Sequence, residues 1–161
     1  MQIRDARIMG KIERIGEHFR ANISNRYIRP ILLQVPLDKE IWDLLENLTE
    51  KSDLYVYQGY HMDELYRQVV AAARFVSVIR RDLVPNMRHR MNALSVDSDR
   101  VLRDMAVHNF VPNLKIFADM VNDLYHSLVE LDKANAKGKK PLYQSMPQLE
   151  DVSRLLEEPE A

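Results

Sequence analysis

The chain contains no cysteine and only four glycines among 161 residues. The first absence excludes disulfides, thiolate zinc sites, iron–sulfur ligation and cysteine nucleophiles. The second weighs against β-rich folds and phosphate-cradling α/β folds, which need glycine in turns and at close backbone approaches. No apolar run approaches the about 18 residues of a membrane helix. The N-terminal MQIRDARIMGKIER alternates charge with apolar residues where a signal peptide would carry an apolar block. These features predict a cytoplasmic protein with no membrane partner. A Gly-rich phosphate loop, HExxH, Gly-x-Ser-x-Gly and an EF-hand ligand ladder are all missing, so no cofactor is called for.

What is present is an ordinary globular composition, 46% hydrophobic and 29% charged, in a chain long enough to bury one core. Its apolar residues recur at helical spacing. Ile8, Ile12, Ile15, Phe19, Ile23 and Tyr27 predict a first helix over residues 3–29, stopped by Pro30. Asp38 is a candidate N-cap for a second helix over 39–51, with Leu37 stapled on Trp42. Met62, Leu65, Val69, Ala72, Val76, Ile79 and Leu83 form a heptad seam. After Pro85 the seam resumes one residue out of phase at Met87, Met91 and Leu94, which predicts a kinked or restarted helix over 62–94.

Residues 95–99 (SVDSD) read as a turn, and 100–109 as a short connecting helix. Pro112 is then expected to open a second seam of Leu114, Phe117, Val121, Leu124, Leu128 and Leu131 on a helix over 112–135. Val84-Pro85-Asn86-Met87-Arg88 and Val111-Pro112-Asn113-Leu114-Lys115 read as two helix starts built alike. Residues 54–60 (LYVYQGY) are expected as helix or turn, although their composition also permits a brief strand. A basic linker near 133–140 leads to a capping-box pattern at 145–148 and a last short helix ending in Glu157, Glu158 and Glu160.

The net charge of −1 conceals segregation: residues 1–29 carry +4, 30–66 carry −6, 67–103 carry +5 and 141–161 carry −4. Such blocks are expected to pair within the bundle. The alternative is an outward arginine patch, Arg80, Arg81, Arg88 and Arg90, whose planar guanidinium forks suit RNA phosphates or an acidic protein partner. No stacking aromatic is interleaved with it, so sequence-specific reading of nucleic acid is not expected. Asp123 and His126 have the i, i+3 spacing of a bundle metal site, but the heptad frame turns His126 to water and no metal is predicted. His18, His61 and His89 read as surface or capping residues.

Arg103-Asp104-Met105-Ala106-Val107-His108 followed by Asn109-Phe110, at the entrance to a long bundle helix, resembles the motif of the HEPN superfamily of helical-bundle ribonucleases. The resemblance implies Arg103 stabilising a charged phosphate and His108 transferring protons, the two cooperating across a dimer. Asp104 departs from the polar residue common at that position and brings a negative charge where a phosphate would sit.

The sequence therefore predicts an all-α, mostly antiparallel helical bundle of about four main helices, kinked near Pro85 and Pro112. Its domain occupies 1–136, followed by a linker and short helix over 137–161. The functional expectation is a non-enzymatic interaction or assembly protein that self-associates, because long apolar seams are present and no convergent polar pocket is legible. The alternative is a HEPN-like, metal-independent ribonuclease using Arg103 and His108.

Overall fold

The computed structural model describes residues 2–3, 5–49, 60–94 and 100–157, and its architecture is all-α. The one extended pairing among the described residues sets Gln2 opposite His61 and Ile3 opposite Tyr60, antiparallel. Of the stretch 54–60, expected as helix or turn, only Tyr60 is described, and it is extended; the expectation on 95–99 and those on Glu158 and Glu160 lie outside the described residues.

Helix α1 (Ala6–His18) starts where the Asp5 carboxylate accepts the backbone N–H groups of Arg7 and Ile8, at 2.8 and 3.2 Å. It continues into a π turn, Phe19–Ile23. Ile15, Phe19 and Ile23 are spaced four and four, and each such step drifts about 40° around an α-helix. The π turn takes in an extra residue and keeps all three on the core side. The helix ends at Ser24 and not at Pro30, because the Asn25 side chain accepts from the N–H groups of Tyr27 and Ile28 and turns the chain. Pro30 instead sits in the first turn of α2 (Arg29–Leu32), where its missing N–H has no partner to lose. Helix α3 (Lys39–Thr49) is capped as expected, Asp38 accepting from Ile41 N–H at 3.1 Å.

Helix α4 (Met62–Val78) buries its heptad seam completely, Val76 at 0% exposure. A second π turn, Ile79–Leu83, accounts for the phase slip: Ile79, Leu83, Met87 and Met91 recur every four residues and all stay buried. A 3₁₀ turn, Val84–Asn86, carries Pro85, and α5 (Met87–Leu94) follows.

The expected break at Pro112 is not there. Helix α6 runs unbroken from Arg100 to Ala136, about 55 Å at 1.5 Å per residue, with Pro112 inside it. The hydrogen bond that proline deletes would end on the carbonyl of His108. His108 and Pro112 are both on the exposed side of α6, where solvent can reach the carbonyl that the proline leaves unpaired. Phe110, Leu114 and Phe117 hold the opposite side in the core on both sides of the proline.

Lys137 (φ 50°) and Gly138 (φ 85°) lead the chain out of α6. The tail then forms two 3₁₀ turns, Leu142–Ser145 and Pro147–Asp151, before α7 (Val152–Leu156), in place of a helix capped at Ser145. Leu149, Val152 and Leu156 are buried, with α7 packed on α4. Helix α4 also packs on α3 and α6, and α6 packs on α1. Where these helices meet, Phe19, Phe75 and Phe117 form a three-ring cluster with centroids 5.6 to 6.0 Å apart, tilted or edge to face. Val121, the centre of the second seam, is 2% exposed. The two seams are thus filled within one chain.

Candidate functional site

Helix α6 is apolar on two sides over its first half. The inner side buries Ala106, Phe110 and Leu114. At about 100° per residue, Val101, Met105, His108, Pro112 and Ile116 stack along the opposite side. Val101 is 70% exposed, Met105 53% and Ile116 47%, and His108 and Pro112 are exposed between them. Leu102 and Val111, also exposed, border the stripe on its two edges.

Beside the Leu102 edge lies an open cleft of about 410 Å³ between α6 and the chain that follows α1. Asn22, Asn25, Asn109 and Asn113 line it together with Leu102 and Met105. Its geometry is fixed from the α1 side. His18 donates from Nε2 to the carbonyl of Asn113 at 2.9 Å, which leaves Nδ1 to accept from the Asn22 amide at 3.2 Å. The same Asn22 amide reaches the His18 carbonyl. His18 is therefore more than a surface residue: it ties α1 to α6 one residue beyond Pro112.

Arg103 and His108 lie on this helix but are not brought together. Five residues of α-helix separate them by about 140°. His108 stands in the exposed stripe, whereas Arg103 is half-buried, and its Nε is buried with no hydrogen-bond partner among the described residues.

Three of the four arginines of the group have partners within the chain. Arg80 donates to the carbonyls of Leu156 and Glu157 at 2.9 and 2.8 Å, closing the C-terminal end of α7. Arg81 forms a two-pronged pair with Asp82, and that hydrogen-bonded guanidinium holds the Asp82 carboxyl below its ordinary range. Arg90 reaches the Gln34 amide oxygen at 3.3 Å, and Arg88 is exposed. His126 is exposed beside the Tyr125 ring, and no group of three or more metal-ligating side chains occurs among the described residues.

A buried polar node holds the tail in place. Asp132, 6% exposed, accepts from the Tyr66 hydroxyl at 2.7 Å and from the backbone N–H groups of Leu142 and Tyr143 at 3.0 and 2.9 Å. Burial, and then the Asp132 carboxylate, push the Tyr66 hydroxyl far above the ordinary phenol range, so it stays a donor. This node is closed to solvent and serves the fold.

The exposed stripe is the feature that sequence reading misses. Its steps of four, three, four and four are legible, but taking Pro112 as a helix start cuts them in two. Comparison of the chain with protein-family models, curated proteins and solved structures finds no match. The resemblance to the HEPN motif rests on its own eight residues.

Proposed function

We propose that this chain is a non-enzymatic assembly protein that associates with itself through the outer side of α6 between positions 101 and 116. One observation carries the reading. Of eight exposed large apolar side chains among the described residues, five (Val101, Leu102, Met105, Val111 and Ile116) lie within sixteen residues of one helix. Isolated exposed apolar residues are ordinary, but a contiguous group on a rigid helix is the usual sign of a surface that is covered in the working state. Met105 and Ile116 are already about half covered, so burying the remainder of each contributes about 1 kcal/mol. The heptad seams do not supply this association, since each is filled by the other helices of the same chain.

Sedimentation equilibrium between about 1 and 100 µM tests it, a window set by the micromolar affinities of small interfaces. The protein should shift from monomer to dimer across that range, and Met105→Glu with Ile116→Glu should hold it monomeric. A strict monomer at every concentration overturns the reading. The ribonuclease alternative predicts something else: RNA cleavage in EDTA that His108→Ala abolishes. That result would replace assembly with catalysis as the function of this face.

A further inference from the structure

Resting on the self-association reading, we infer that the two copies pair their α6 helices antiparallel, about a two-fold axis passing between residues 109 and 110. The two edges of the stripe set this orientation. Asp104 and Lys115, both exposed, are eleven residues apart, three turns plus about 20°, so they lie on the same edge and about 16 Å apart along the axis. The other edge, toward which Ile116 of the stripe leans, carries Leu102 and Asn109 and no charge.

In an antiparallel pair related by a perpendicular two-fold, like edges face each other. An axis midway between Asp104 and Lys115 then sets the Asp104 of each copy level with the Lys115 of the other, two opposite-charge pairs from one edge. The uncharged edges meet on the far side. A parallel pair would instead lay the charged edge of one copy against Leu102 and Asn109 of the other, leaving both charges without a counterpart and partly desolvated.

The same axis interlocks the apolar residues. Met105 comes level with position 114 of the second copy, between its Pro112 and Ile116. Ile116 comes level with position 103, between the second copy's Val101 and Met105. Each large side chain meets a gap and not its own equivalent, the arrangement that packs facing helices best. The two His108 side chains fall about 4.5 Å apart along the axis, one on each side of it. The facing segment is about 24 Å long on helices about 10 Å wide, which places this pairing in the smallest class of specific interfaces.

The absence of cysteine makes the test clean. Val101→Cys, His108→Cys and Ile116→Cys, each at an exposed position, are oxidised mildly, singly and in a mixture of the first and third, at a concentration where sedimentation shows dimer. His108→Cys should cross-link to itself. Val101→Cys and Ile116→Cys should each remain uncross-linked alone, being about 20–25 Å from their own equivalents, and should form a mixed covalent dimer when combined. Self-cross-linking of Val101→Cys and of Ile116→Cys would mean parallel pairing and overturn the inference while self-association stands. Dimer with no cross-link at any of the three positions would place the interface elsewhere and also overturn it. A monomer throughout would remove the underlying reading as well.

Discussion

The two halves of α6 share one inner side and have opposite outer sides. Inward, Phe110, Leu114 and Phe117 pass the seam on to Val121, Leu124 and Leu128, all buried. Outward, Val101, Met105, His108, Pro112 and Ile116 give way to Asp119, Asp123, His126, Glu130 and Lys133 at the same helical angle. Asp123 is engaged by Lys11 of α1. Folding dictates the inner side, and water accepts the polar outer side without further explanation. The apolar outer half is required by neither, so it is the part of the helix that speaks to function.

The largest effect is expected from a change on the inner side. Phe117→Ala removes one ring of the three-ring cluster and should cost about 4 kcal/mol, read from urea unfolding at a concentration where the protein is monomeric. A loss under about 1 kcal/mol would mean that the seam is not the main source of stability. Asp132→Ala comes next, at about 3 kcal/mol, because it leaves the N–H groups of Leu142 and Tyr143 and the Tyr66 hydroxyl short of a buried acceptor. Hydrogen exchange at the Leu142 and Tyr143 amides should accelerate more than exchange within the first half of α6.

Tyr66→Phe should cost about 1.5 kcal/mol at neutral pH. The sign of its pH dependence follows from the raised folded-state value. The protonated hydroxyl is the form the fold prefers, so its contribution is complete below the unfolded value of 10.0 and declines as pH rises beyond it. Stability curves of the parent protein and Tyr66→Phe should therefore converge above pH 10.0. Parallel curves would show that Asp132 and burial do not govern this hydroxyl.

Much of this fold is legible in the residues. The seams at 62–83 and 114–131 emerge at the positions their spacing dictates, with only Leu131 half-buried, and Asp38 caps where its side chain can reach a free N–H. The proline readings fail for a common physical reason. Pro30 and Pro112 delete hydrogen bonds that are either absent already, in a first turn, or replaceable by water on an exposed side, so neither stops a helix. The two π turns are visible beforehand only as successive four-residue steps, which a seam read at three-and-a-half-residue spacing registers as drift. Asp132 gives no warning at all, since its partners Tyr66, Leu142 and Tyr143 lie beyond any local spacing. The outer stripe was readable in principle, and it is hidden only by the assumption that Pro112 begins a helix.

Pro112→Ala restores an N–H to face the His108 carbonyl in a helix that is already continuous, so it should stabilise the monomer by about 1 kcal/mol. This is less than the intrinsic alanine-over-proline difference of about 3 kcal/mol, because proline also restrains the unfolded chain. Destabilisation would mean that a bend at Pro112 is needed to seat Phe110 and Phe117 together.

The smallest expected change in stability belongs to Met105→Glu, and it divides the two sides of the helix most directly. If the outer stripe is a surface, a carboxylate there stays hydrated and the monomer's unfolding free energy moves by no more than about 0.5 kcal/mol, while dimerisation is lost. If the stripe is instead core material covered by other parts of the same chain, the glutamate is desolvated without a partner and the monomer loses several kcal/mol. Urea unfolding at about 1 µM, set beside sedimentation at about 100 µM, separates these outcomes, because self-association affects only the second measurement.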